Sequence, residues 1–175
     1  MNAIFTRTSV RSYADTPIEQ DKVELICRAG MQAPSAGNQQ PWELLVIDDP
    51  ELLKALGTAT PYSKPTGKAP LAIIPLMHAE GLRFPEQAPH DMSACVENML
   101  LQATEMGIGS VWQAVFPEED RIAGVKACVS IPDDLIPFCI VAFGYPIGQL
   151  PAQTSRYDAA RVYRNSLDAR RAAEH

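Results

Sequence analysis

Two arginines and two hydroxyls fall within five residues near the N-terminus, in the run RTSVR at positions 7–11. In extended backbone, where successive side chains alternate, Arg7, Ser9 and Arg11 project on one side. Two planar guanidinium forks beside a hydroxyl, with Thr8 adjacent, suit a phosphate, because arginine donates to it in bidentate geometry. The same string also suits a solvated basic turn, and Arg156, in the run SRYD, alone reads equally well as a surface arginine. A different chemistry lies in PSAGNQQPW, residues 34–42. Asn38, Gln39 and Gln40 carry donors and acceptors together, which matches the alternating N–H and C=O edge of a planar heterocycle. The prolines fix φ and Gly37 permits a left-handed turn, so the run serves equally as a connection leading Trp42 into the core. In MGIGSVWQAVF, residues 106–116, small residues let backbone approach something flat and Trp112 can stack on it. A tight turn and a core tryptophan are the plain alternative.

No other chemistry is legible. His78 and His90 flank an irregular stretch and nothing orients either, and no Ser–His–Asp, Cys–His or paired-carboxylate arrangement is present. The three histidines and four cysteines lack metal-ligand spacing, so no structural zinc is expected. Cys27, Cys95, Cys128 and Cys139 all sit in apolar segments and read as reduced core thiols in a reducing compartment. A net charge of −6 argues against a nucleic-acid surface. An anion would therefore be held by a few local arginines, not by a broad basic field. No apolar leader or 18-residue apolar segment is found, so a cytoplasmic location without membrane contact is expected.

The 175 residues, 46% hydrophobic, suit one domain with an arm. A helix is expected over 17–33, with Thr16 as N-cap, Pro17 in first position and Glu19 completing a capping box. Strands are expected at 43–48 and 70–78, with Pro75 hinting at an edge or a bulge. Helices are expected at 50–59, at 91–106 with Met92, Val96, Met99, Ala103 and Met106 on one stripe before Gly107, and at 117–130. Further strands are expected at 109–116 and 135–146; residues 79–90 read as an irregular loop, and periodicity is lost after Gly144. Alternation alone suggests a three-layer sandwich with a central sheet and invites a doubly wound fold. No G-x-G-x-x-G follows any strand, however, so a dinucleotide fold has no motif to support it.

The set and its order change the weighing. RTSVRSY, APSAGNQQPWELLVI, HDMSACVENMLLQATEMGIGSVW, IPDDLIPFCIVAFGYP and SRYD together resemble the nitroreductase family of FMN-dependent oxidoreductases, over nearly the whole chain. The resemblance implies an α+β fold: a mixed, mostly antiparallel central sheet flanked by helices, in a homodimer with a domain-swapped C-terminal arm. Residues 1–175 would form one domain, with 147–175 as the arm. It implies FMN as cofactor and NAD(P)H as reductant, with a hydride delivered to flavin N5 and an acceptor (nitroaromatic, quinone or similarly electron-poor) reduced in the same pocket, in ping-pong order. No catalytic side chain is then required.

Carried over by motif, Arg7, Thr8, Ser9 and Arg11 would hold the FMN phosphate and ribityl chain, joined by Arg156. Pro34, Ser35, Ala36, Asn38 and Gln40 would line the isoalloxazine ring from the other subunit. Trp112, Gln113 and Ala114 would run past the ring, through backbone donors. Lys64 and Lys68 are candidates for the family's mid-chain polar flavin contact. Two departures imply a somewhat weaker phosphate grip: Thr8 stands where an arginine or histidine is frequent, and Thr154-Ser155 replace a basic residue before Arg156. The same scaffold also supports dehalogenation, flavin fragmentation, dehydrogenation or FMN binding without turnover.

Overall fold

The structure is a computed structural model and describes residues 3–148, 150 and 156–167. The helices are α1 (Ala3–Thr6), α2 (Gln20–Met31), α3 (Pro50–Leu56), α4 (Ala88–Glu105) and α5 (Glu119–Cys128). The strands are β1 (Trp42–Ile47), β2 (Leu71–His78), β3 (Gly109–Ala114), β4 (Leu135–Pro137) and β5 (Cys139–Gly144). The sheet runs β1-β2-β5-β3, with β4 also on β2, and every pairing between these strands is antiparallel. The sheet is therefore antiparallel rather than mixed; a parallel bridge from Ser9 to Ser110 lies outside its named strands.

Alternation along β2 explains its unbroken apolar run. Leu71, Ile73 and Met77 face α2 and α4, in a cluster with Ile26, Met92, Val96, Met99 and Phe143. Ala72, Ile74 and Leu76 face the opposite side, with Leu53 and Leu56 of α3 and Val125 of α5. A strand covered on both faces has no polar side to present. The layering is helix–sheet–helix as alternation suggested, but the sheet is antiparallel, so the doubly wound alternative is excluded.

Pro75 lies in an interior strand, opposite a one-residue bulge: between the pairs Ile73–Val141 and Leu76–Pro137, residues 74–75 of β2 face residues 138–140. It is paired with Leu44 in the β1–β2 ladder. On its other side, β2 changes partner from β5 at Leu71–Ile73 to β4 at Leu76–His78. The Phe138 N–H donates to the Pro75 carbonyl at 2.9 Å, at the break between β4 and β5. A residue without an N–H is tolerated where the ladder is interrupted. The same break divides the single strand expected over 135–146.

Helix α2 begins later than expected. Its N-cap is Glu19, whose side chain makes no cap hydrogen bond. That carboxylate instead accepts from Lys22 Nζ at 3.0 Å and from the Tyr145 hydroxyl, which ties the helix start to the end of the sheet. Of the predicted stripe of α4, Met92, Val96, Met99 and Ala103 are buried, whereas Met106 is the half-buried C-cap; Gly107 follows with φ 74°, the left-handed conformation that ends helices. Among the described residues, no helix is long and apolar enough to cross a membrane.

Candidate active site

The arginine-bearing segment is held against the sheet. After α1, the Val10 N–H donates to the Ser110 carbonyl at 2.9 Å, and the Ala14 N–H donates to the Tyr145 carbonyl at 2.8 Å. The Tyr13 hydroxyl donates to the Val10 carbonyl at 2.6 Å and is buried, which raises its pKa. Close packing requires glycine at 109, because a Cβ there would lie 2.7–2.8 Å from three side-chain atoms of Val10. This arrangement leaves Ser9 and Arg11 exposed and Thr8 and Arg7 half-buried. Arg7 Nε lies 3.8 Å from Glu97 of α4.

Beside this segment runs a groove of about 300 Å³, lined by Arg11, Tyr62, Pro65, Val111, Trp112, Gln113 and Ala114. Its volume is at the lower end of those that hold drug-sized ligands. Trp112 is half-buried and packs on Phe138, their ring centroids 5.6 Å apart at 59°. The structure therefore brings Arg11, Trp112, Gln113 and Ala114 together. Lys64 is exposed and stands between two lining residues. Lys68 does not join them: it lines a separate cavity of about 510 Å³ with Asp15, Asp48 and Tyr13.

The amide-rich loop belongs elsewhere. None of residues 34–40 lines the groove. The Ala36 N–H and the Gln39 amide donate to the Asp91 carboxylate of α4, at 3.0 and 2.7 Å. The Gln39 side chain also donates to the Phe84 carbonyl at 3.0 Å and accepts from the Phe84 N–H at 2.9 Å. The Gln40 N–H donates to Ser35 Oγ at 3.0 Å. Gly37, Asn38 and Gln40 all have positive φ, and a Cβ at Gly37 would lie 2.6 Å from the Phe84 ring. Gln39 is thus the structural amide, whereas Asn38, Gln40 and Pro34 are exposed on a loop fixed from beneath. The loop is held rigid yet has no contact with the groove of its own chain.

Arg156 is exposed, ahead of a short turn at Ala159–Arg161 that Asp158 caps by accepting from the Ala160 N–H at 2.9 Å. Thr154-Ser155 lie outside the described residues. The sequence reading missed Asp91, Tyr62, Ser63 and Thr66. Asp91 had a signal: Ala88, Asp91 and Cys95 share the i, i+3, i+7 spacing of the buried face, where an acid needs partners. The other three lie in a segment without periodicity.

The family model described as Nitroreductase family matches residues 4–90 and 59–145. A protein of Archaeoglobus fulgidus, provisionally named an NADH dehydrogenase/NAD(P)H nitroreductase, is 38% identical over 147 residues, which cover 83% of this chain and 84% of that one. Among solved structures, one from Clostridium acetobutylicum, provisionally named an NADH oxidase, has a TM-score of 0.90 at 37% identity and covers 94% of this chain and 99% of its own. Another, from Desulfovibrio desulfuricans, provisionally named a nitroreductase and solved in complex with FMN, has a TM-score of 0.76 at 30% identity, with 90% and 91% covered. Matches over most of the chain, on the same antiparallel sheet and helices, establish that it belongs to the nitroreductase family.

Proposed function

We propose that the protein is an FMN-dependent oxidoreductase that uses NAD(P)H to reduce nitroaromatic, quinone or similar electron-poor acceptors. The observation that carries this is the groove along β3, flanked by the Arg7–Arg11 segment, in a family whose Desulfovibrio member was solved with FMN. The residues fit that group. Arg11 lines the groove and its guanidinium fork suits a phosphate, with Arg7 and Ser9 on the adjoining segment and Thr8 turned to a separate small cavity. The strand Val111–Ala114 suits one face of a ring. When bound, FMN supplies the two-electron chemistry that no side chain here offers.

Arg7 and Arg11, with Thr8 and Ser9, would hold the phosphate and ribityl chain, and Arg156 would close on the same phosphate. Trp112, Gln113 and Ala114 would orient the ring through their backbone edge. The groove of one chain would cover one face of the ring only. The loop bearing Pro34, Ser35, Ala36, Asn38 and Gln40 is rigid and exposed, so the same loop of a second copy is the candidate wall, which makes the working unit a homodimer. Ile4 and Phe5, 66% and 71% exposed on α1, support such an interface, as do exposed Ile147, Leu150, Tyr157, Val162 and Leu167 in the arm that would reach over the partner. Four free thiols suit a reducing cytoplasm.

The test is a single preparation. Incubated with FMN, freed of excess and made anaerobic, the protein is expected to be yellow and to bleach with NADH or NADPH. A colourless product refutes FMN binding. A yellow product that neither nucleotide bleaches refutes the reductase and leaves another flavin reaction on the same scaffold, or FMN binding without turnover.

A further inference from the structure

The side chain of Gln113 has a role that the flavin reading does not assign to it. Gln113 lies on β3, the floor of the groove, and is 3% exposed. Its amide points into the neighbouring wall. The amide is assigned in the orientation that its neighbours' hydrogen bonding requires: its nitrogen then lies 3.1 Å from the carbonyl oxygens of both Ser63 and Tyr62, and its oxygen accepts from the Thr66 hydroxyl at 2.8 Å. Both N–H bonds and one oxygen lone pair are thereby engaged with a single segment, residues 62–66. Ser63 and Thr66 are fully buried beneath it, and the Ser63 hydroxyl accepts from the Thr60 N–H at 2.9 Å. Tyr62 and Pro65, from the same segment, line the groove opposite β3. Tyr62 is 60% exposed yet held on a second side by Arg121, whose guanidinium carbon lies 5.1 Å from the ring centroid.

We propose that Gln113 is a positioning residue that fixes the Tyr62–Pro65 wall relative to β3, and so sets groove width and selectivity between acceptors of different size. The proposal rests on the flavin reading, since it takes this groove as the reaction pocket. An amide is needed here because only its geometry can donate to two carbonyls and accept from a hydroxyl at once. Methionine, of similar length, would leave two carbonyls and a hydroxyl unsatisfied in a dry site and release the segment. A residue that served only packing would lower stability and the active fraction without altering the choice among acceptors.

The experiment uses FMN-loaded protein and the ratio of kcat/KM for a bicyclic quinone (menadione) to that for p-benzoquinone, a ratio independent of how much enzyme is active. Gln113→Met is expected to change this ratio by about fivefold or more, measured on the FMN-loaded fraction. Thr66→Val should move the ratio in the same direction, and Thr66→Ser, which keeps the hydroxyl, should restore it. If Gln113→Met does not fold, the two Thr66 variants decide. Parental ratios in FMN-loaded variants overturn the role of Gln113 and leave the flavin reading intact. A parent protein that binds no FMN overturns both.

Discussion

Removing the Asp91 carboxylate should unpin the amide-rich loop from α4. Asp91 is 6% exposed and accepts from the Ala36 N–H at 3.0 Å and from the Gln39 amide at 2.7 Å. Hydrogen bonds to a charged group are each worth about 1.5–3 kcal/mol, so two could reach about 6 kcal/mol. Both donors are half-buried, and water would satisfy part of what they lose. The net cost of Asp91→Ala is therefore set at about 3 kcal/mol, or about 6–12 °C in Tm for a domain of this size. Asp91→Asn keeps one acceptor for the Ala36 N–H but turns an amide nitrogen toward that of Gln39, so about half that loss is expected. The assay is thermal unfolding at fixed protein concentration, since a dimer's Tm depends on it. A Tm for Asp91→Ala within about 1 °C of the parent would refute the claim that this carboxylate holds the loop, because no rearrangement of two half-buried donors recovers that much.

Other expectations follow from the same geometry. Arg7→Ala and Arg156→Ala should each weaken FMN retention by about 1.5–3 kcal/mol in equilibrium dialysis; unchanged affinity in both would sink the phosphate assignment. Gly109→Ala places a methyl group within 2.8 Å of Val10 and should cost about 1–3 kcal/mol in urea unfolding; an unchanged midpoint would contradict the close approach of the arginine segment to β3. Burial pushes the Cys95 thiol up to about 12 and that of Cys139 well above its ordinary value. Such groups stabilise the fold fully below the usual thiol range, and the contribution is lost as pH rises through the raised values. Unfolding free energy should therefore fall above about pH 9, by up to about 1.4 kcal/mol per pH unit per group, and a flat profile there would contradict that burial.

The fold and the site were not equally legible. Where one physical cause acts alone, the sequence speaks plainly: the spacing of Met92, Val96, Met99 and Ala103, with glycine at 107, places α4 and its end. Boundaries failed where a side chain had a better distant partner. Glu19 looks like part of a capping box, but Lys22 and Tyr145 claim its carboxylate, and the helix starts at Gln20. Pro75 suggests an edge or a bulge, and only the bulge is found, because no local pattern reveals that β2 is an interior strand that changes partners there. Alternating elements gave three layers but not strand direction, which depends on connections that pattern does not encode. In the site, the residue types of RTSVR and GIGSVWQA are readable. The division of labour within NQQ is not, since it depends on Asp91 and Phe84, more than 40 residues away. Segment 60–66 lacks periodicity, so Gln113 could not be seen as its anchor.

The central claim concerns where the flavin lies and which residues enclose it, and a crystal structure of the FMN-bound protein measures that directly. The account predicts the ring along Trp112–Ala114, the phosphate within hydrogen-bond distance of Arg7 or Arg11 and of Arg156, and the loop at 34–40 of a second copy across the ring. FMN bound in the Asp15–Asp48–Lys68 cavity, or a ring enclosed by a single chain, would contradict it.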